Sequence, residues 1–299
     1  MIYQKLIFFS VFFISVLCKA QMPETDIWLY EIKKTPTGII LHKGMNITNR
    51  PGYDNQPHFS PDGKLLYFVS VKEDKQADIY SYSIGNKKTV QLTKTPESEY
   101  SPTVTPDKRS LACVVVLSDS SQIILSLNIK NGYTSAYPDH KTKFEDQQIS
   151  AFDSVGYFSF LNSDTVLYYK LSNPHSLHAR SISNGNDVLI AENITRAFRP
   201  ATKNKFFYVI KEEKGNKVRL YDILLKKSEE YATAKAENED FIWDKGLGLI
   251  KSDGSKLLRY NDDLKTWVEL GDFSAAGISK ITRFALSPNG RFLAIVSNK

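Results

Sequence analysis

The sequence predicts an all-β fold, a six-bladed β-propeller of four-stranded antiparallel blades whose last blade is closed by strands from both chain ends. Three observations predict it. An internal repeat runs at a fixed offset of 45 residues. Three of its copies carry a Pro-Asp or Pro-Asn turn followed by an apolar run. The repeat is also cut in two, with its first half at the C-terminus and its second half near the N-terminus. A period near 45 with four strands per unit is the sequence mark of a propeller.

The repeat is dense in its first two copies. Ile47-Thr48 matches Leu92-Thr93, Pro51 matches Pro96, Pro57 matches Pro102, and Ser60-Pro61-Asp62 matches Thr105-Pro106-Asp107. Downstream, Leu66 matches Leu111, Val69 matches Val114, Ile79 matches Ile124, Ile84 matches Ile129 and Asn86 matches Asn131. Within the first copy, residues 56–60 read as a short strand a. Ser60-Pro61-Asp62-Gly63 reads as a turn, because proline presets φ, aspartate bonds its local backbone and glycine accepts positive φ. Residues 64–70 are a continuous apolar run suited to a strand b buried on both faces. Residues 78–84 alternate as strand c, and 89–93 supply strand d.

The unit recurs with weaker spelling. A second blade spans 101–137. A third starts at Ile149, with strand b at 165–170 and strand c at 177–182. A fourth follows Asn193-Ile194-Thr195, which echoes Asn46-Ile47-Thr48, with strands at 205–210 and 218–223. A fifth covers 240–270. Residues 281–287, the turn Ser287-Pro288-Asn289-Gly290 and residues 291–297 then supply strands a and b of a sixth blade. Asp26-Ile27-Trp28-Leu29-Tyr30 matches the strand c sequence Asp78-Ile79-Tyr80-Ser81-Tyr82, and 38–41 can supply strand d. Pairing the two ends covers both exposed edges of the sheet.

The first twenty residues read as a secretory leader rather than as fold. Lys5 is a positive n-region, 6–17 an apolar run, and Cys18-Lys19-Ala20 places a small residue before Gln21. The run is too short to span a bilayer core of about 30 Å as a helix. Two other readings stand beside cleavage: a membrane anchor, and a lipoprotein acylated at Cys18, although Leu17 occupies a position where a lipobox needs a small residue. The expected mature protein is one propeller domain from 21 to 299, periplasmic or secreted, monomeric and without a transmembrane segment. The formal charge of +6 includes Lys5 and Lys19, and no basic run is long enough to suggest nucleic acid. Beyond the leader only Cys113 remains, inside an apolar run, and reads as a buried small hydrophobe.

Gln56-Pro57-His58-Phe59-Ser60-Pro61-Asp62-Gly63-Lys64, followed by Asp78-Ile79-Tyr80 and Gln91-Leu92-Thr93, resembles the repeat of TolB-like propellers. The likeness is strong in blades one, two and six and faint in three to five. It implies a six-bladed ring in the bacterial envelope, usually engaged with other proteins. TolB itself carries a further N-terminal domain, which is not expected here, so an identical role is not implied. Trp243-Asp244 falls in an expected strand a, unlike the WD pair of WD repeats.

No G-x-S-x-G elbow, H-E-x-x-H zinc site or P-loop is spelled in the sequence. A prolyl-oligopeptidase arrangement would add a hydrolase domain after the propeller, and none is expected before Lys299. The expected function is therefore non-catalytic: an envelope scaffold that binds a protein or peptide, with no cofactor. Two alternatives stay open. A metal-dependent polysaccharide lyase or hydrolase would use His175 and His178, which lie in a proline-containing segment expected to be a loop. A glycan-binding module would use aromatic rings such as Trp28 or Trp267. The expected crossings between blades carry Asp54, Glu97 and Glu99, Glu145 and Asp146, Glu192, and Glu237, Glu239 and Asp240. These acids form a candidate rim for a cation or a basic partner segment, against the plainer reading of solvated loop charge. The turns between strands a and b are expected to be too tight to offer a site.

Overall fold

The structure is a computed structural model that describes residues 22–35, 38–73, 75–130, 133–134, 149, 154–235 and 240–299. The expected leader, with Cys18, lies outside the described residues. The fold is all-β, with four-stranded sheets in a propeller-like arrangement. Among the described residues the only helical element that forms part of it is a 3₁₀ turn at Ser274–Ala276.

The chain opens with β1 (Thr25–Lys34), β2 (Ile39–Leu41) and β3 (Met45–Asn46). An antiparallel set follows, β4 (Tyr53–Phe59), β5 (Leu65–Val71), β6 (Ala77–Ser83) and β7 (Lys88–Gln91), hydrogen-bonded in that order. Four separate four-stranded sheets come next. They are β8 (Ser98–Val104) with β9 (Ser110–Val116), β10 (Gln122–Lys130) and β11 (Tyr133–Thr134); β12 (Val155–Phe160) with β13 (Thr165–Lys170), β14 (Ser176–Ser181) and β15 (Asp187–Glu192); β16 (Ile194–Pro200) with β17 (Lys205–Glu212), β18 (Gly215–Asp222) and β19 (Lys227–Ala234); and β20 (Phe241–Asp244) with β21 (Gly248–Asp253), β22 (Lys256–Asn261) and β23 (Thr266–Asp272). The chain finishes with β24 (Ile281–Leu286) and β25 (Phe292–Asn298).

The two chain ends meet. β1 pairs antiparallel with β25 from Thr25 opposite Asn298 to Glu31 opposite Phe292, and β24 pairs with the other edge of β25. The outer side of β1 is covered in two pieces. β2 pairs with its far end, and β3 pairs Asn46 with Trp28 and Met45 with Leu29. The expected single strand at 38–41 is thus a split one. A parallel pairing of Thr25 with Tyr53 joins this group to β4, giving a nine-stranded sheet.

The strongest repeat features are built twice or three times. Thr48 Oγ1 accepts the Ile27 N–H, and Thr93 Oγ1 accepts the Ile79 N–H, both at 2.8 Å. Asn46 Nδ2 donates to Asp26 and Gln91 Nε2 donates to Asp78, at 2.8 and 2.9 Å. In the turns, the hydroxyls of Ser60, Thr105 and Ser287 bond the side chains of Asp62, Asp107 and Asn289. Gly63 and Gly290 close two of these turns at φ +69°, where an L side chain is strained; Lys108 holds the same place at +62°.

The apolar side chains lie between sheets rather than under one of them. Val69, Ile79 and Tyr67 of one set pack on Leu111, Cys113 and Leu125 of the next. Ile27 and Val296 pack on Phe68 and Tyr80. A sheet held between two neighbours buries both faces, which is why its second strand reads as an unbroken apolar run such as Leu65–Val71. Cys113 is fully buried in β9, and that burial holds its thiol well above the usual thiol range.

The first strands run further upstream than their sequence suggests. β4 begins at Tyr53 and β8 at Ser98, with register shifts between Asn55 and His58 and between Tyr100 and Thr103. Pro57 and Pro102 cannot donate to the ladder there, and Gln56 and Ser101 adopt φ of +57° and +56°. The first strands stand side by side: β4 lies beside β24 and β8, β12 beside β8 and β16, and β20 beside β16 and β24.

Candidate functional site

The first strands enclose a cavity of about 350 Å³ on the axis of the molecule. Its wall takes Gln56 and His58 from β4, Ser101 and Thr103 from β8, and Tyr157 and Ser159 from β12. Arg196 and Arg199 come from β16, Trp243 and Asp244 from β20, and Arg283 from β24. Asp240, one residue before β20, also lines it.

The charged groups form one network. Arg199 Nη2 stands 3.8 Å from Asp240 Oδ1, and Arg199 Nη1 donates to the Phe198 carbonyl at 2.8 Å. The second Asp240 oxygen accepts the Phe284 N–H at 3.2 Å. Arg196 Nη2 donates to the Thr282 carbonyl at 3.2 Å. Arg283 Nη2 donates to Tyr157 Oη at 3.1 Å, and its guanidinium lies 5.1 Å from the centre of the Tyr157 ring. Burial pushes Arg199 below the usual guanidinium range; the charges of Arg283 and Arg196 add to this, while Asp240 opposes it. His58 is pushed down to about 4 by burial and by Arg199, so it is neutral at pH 7. Its Nε2 accepts the Val104 N–H at 3.2 Å, which leaves the ring proton on Nδ1.

Local backbone explains why two arginines of one strand face the same cavity. Residues 196 and 199 differ by an odd number and would point to opposite faces of a regular strand. The pairing of β16 with β17 shifts register between Ile194 and Phe198, and this bulge brings both side chains to the axis. β24 carries a matching shift between Ile281 and Arg283. The sequence reading missed all three arginines. Their one legible signal was charge in the stretch that follows Asn193-Ile194-Thr195 and inside the expected strand at 281–287.

Among the described residues, the members of the predicted acidic rim lie apart. Asp54 and Glu99 are fully buried inside β4 and β8, not in crossings, because those strands extend upstream of their proline bulges. Asp54 accepts from Arg50 Nη2 at 2.7 Å, and the same guanidinium also bonds Ser70; burial raises its carboxyl above the usual range, with Ser70 and Arg50 opposing. Glu99 accepts from the hydroxyls of Thr93 and Thr95. Burial pushes it up to about 8, against those two bonds and with the charges of Asp78 and Glu97 adding to the rise. Glu97 is half-buried and Glu192 exposed, and neither lines the cavity. Asp240 is the member of the set that does. Glu145, Asp146, Glu237 and Glu239 lie outside the described residues. The turns between first and second strands also differ from expectation: Asp244, Lys245, Ser287 and Pro288 form part of the cavity wall at its mouth.

His175 and His178 do not converge. His178 lies inside β14, not in a loop, with its ring stacked on Tyr168 at 4.9 Å and its Nδ1 3.3 Å from Asp187. His175 packs on Tyr169 at 5.0 Å. Tyr168 and Tyr169 are adjacent in β13 and point to opposite faces, so the two imidazoles sit on opposite sides of the sheet. Among the described residues, no group of three or more His, Cys, Asp or Glu side chains could hold a metal ion. Trp267 is held in place by its Nε1 bond to the Thr233 carbonyl at 2.6 Å and by Tyr260, and Trp28 packs half-buried against the core.

The overall fold is shared with solved structures. The structure assigned to TolB of Agrobacterium tumefaciens superposes with a TM-score of 0.63 at 13% identity, covering 93% of this chain and 99% of that one. The fold is that of a TolB-like propeller. An oligogalacturonate lyase solved with manganese superposes with a TM-score of 0.56 at 12% identity, covering 88% of this chain and 83% of that one. No family model matches the sequence. A curated relative, the uncharacterized peptidase YuxL of Bacillus subtilis, is 29% identical over 99 residues, 33% of this chain. That segment spans 14% of the peptidase's length. Among the described residues no helix is long and apolar enough to cross a membrane.

Proposed function

We propose that this chain is an exported, non-catalytic six-bladed propeller of the cell envelope that binds a protein or peptide partner at its axial cavity. The blade count is supported by the way the nine-stranded sheet divides at the one-residue contact of Thr25 with Tyr53. On one side of that contact lies β4 to β7, and on the other a unit made of β24, β25, β1 and the pieces β2 and β3. The neighbour relations of the first strands then run from β4 round to β24 and back to β4.

The observation that carries the binding role is the cavity itself. It is concave, lined by side chains of every first strand, and rich in charged groups that the scaffold holds in place. The resemblance of the repeat to TolB-like propellers, which usually engage other proteins, supports a protein or peptide partner, and the leader-like N-terminus supports export. Fold alone does not decide function, so the proposal rests on the site. A photo-crosslinking residue at Lys245, beside the mouth, should trap a defined protein when the full chain is expressed in its own envelope. One at Leu224, which is 70% exposed, should trap nothing. Equal trapping at both places would overturn the axial site.

A further inference from the structure

We infer that the axial cavity is an anion site that takes a carboxylate-bearing peptide segment, an inference that rests on the partner-binding reading above. The cavity wall holds the guanidiniums of Arg196, Arg199 and Arg283. Asp240 is the one carboxylate among the described residues that faces them, since Asp244, nearer the mouth, is paired with Lys34 at 2.5 Å. His58 contributes no charge at neutral pH. Three cations against one anion leave an excess of two positive charges inside a protein wall. Charges there are poorly screened and their attraction for an anion is correspondingly strong.

The hydrogen-bonding groups point the same way. A guanidinium carries five N–H donors in a planar fork, which matches a carboxylate bidentately. Each of the three is anchored by one hydrogen bond to the scaffold, to the carbonyls of Thr282 and Phe198 and to the Tyr157 hydroxyl. These anchors orient the forks and leave donors for a ligand. Asp240 does not close Arg199 off, because their 3.8 Å separation is an ion pair longer than a hydrogen bond. The Tyr157 and Trp243 rings add apolar wall for the rest of a peptide. The site size falls within the range of about 300–1,000 Å³ typical of ligand pockets, larger than a lone carboxylate needs.

The test uses the full chain and capped peptides of fixed sequence. Calorimetry would compare acetyl-Gly-Glu-Glu-Gly-amide with its Gln-Gln and Lys-Lys counterparts and with Gly-Gly-Gly carrying a free C-terminus. The inference expects the Glu-Glu peptide to bind at least tenfold more tightly than the Gln-Gln peptide, and binding to weaken with salt. Binding by Gly-Gly-Gly would assign the site to a chain terminus rather than to acidic side chains; both keep the carboxylate chemistry. Arg199→Gln and Arg283→Gln should each weaken binding tenfold or more. Arg199→Gln breaks the pair with Asp240 and could unfold the chain. Arg196→Gln, whose side chain makes one bond to a backbone carbonyl, and Arg199→Lys, which keeps the charge without the fork, therefore serve as folded controls with intermediate loss. Equal binding of the Glu-Glu and Gln-Gln peptides together with no binding by Gly-Gly-Gly, or no effect of the arginine variants, would overturn the inference. So would tighter binding of a phosphoserine peptide. Crosslinking at Lys245 could still succeed in those cases, so the scaffold reading stands or falls separately.

Discussion

Gln56 Oε1 accepts the backbone N–H of Ser101 at 2.5 Å, and these two residues occupy the same position in consecutive repeats, 45 apart. Both sit at positive φ beside a proline bulge, so the bulge turns the Gln56 side chain toward the next first strand. Two residues on, His58 accepts the Val104 N–H in the same direction. The repeat thus bonds to its own next copy. Gln56→Ala removes the acceptor and leaves an inward N–H without a partner, and should cost about 1–2 kcal/mol. Urea denaturation monitored by tryptophan fluorescence would measure it, and an unchanged midpoint would show that the bond contributes nothing net.

Ring closure depends on β25. Ile295 is fully buried, opposite Trp28 on one side and Phe284 on the other. Ile295→Ala should destabilise by about 2–5 kcal/mol through the lost burial and the cavity left behind. The loss should appear in the global unfolding transition, because opening this seam exposes two edges at once. A separate early transition would instead mean that the seam opens independently of the rest.

Glu99 ties stability to pH. Its carboxyl is raised from the ordinary 4.5 to about 8 in the folded chain, chiefly by burial. Between those values the folded state keeps a proton that the unfolded state releases. Stability is therefore greatest near and below pH 4.5 as far as this group is concerned, and falls as the pH rises toward 8. Glu99→Gln removes the charge, keeps one oxygen to accept from a threonine hydroxyl and offers its amide N–H to the other. The variant should be more stable than the parent at pH 8 and should flatten this part of the pH profile. A parallel profile for the two proteins would refute the assignment.

Lys108 stands at φ +62°, where the equivalent turns carry Gly63 and Gly290. An L residue pays about 1 kcal/mol or more in this left-handed region, and glycine does not. Lys108→Gly should raise stability by up to about 1 kcal/mol, partly offset by the greater freedom of glycine in the unfolded chain. Thermal melts of the two proteins would check the sign.

The histidine pair provides a metal test. With His175 and His178 on opposite faces of one sheet, manganese or zinc should give no thermal shift that a His175→Ala/His178→Ala variant removes. A shift lost in the variant would revive a metal site at this blade.

The sequence alone determined the all-β class, the repeat, its turns and the pairing of the chain ends, because each is local or periodic. Ser60-Pro61-Asp62-Gly63 specifies its turn within four residues. The likeness of Asp26-Ile27 to Asp78-Ile79 placed β1 as a third strand before any contact was known. Tertiary structure decided the charges. Asp54 and Glu99 looked like loop acids because Pro57 and Pro102 seemed to start the strands; the bulges carry those strands past the prolines and bury both carboxylates. Arg196, Arg199 and Arg283 are far apart in sequence or out of phase along a strand. Only bulges in β16 and β24, together with a ring of first strands around one axis, bring the three guanidiniums to one cavity. A strand's own alternation says which face a residue takes, but the ring says what that face looks into.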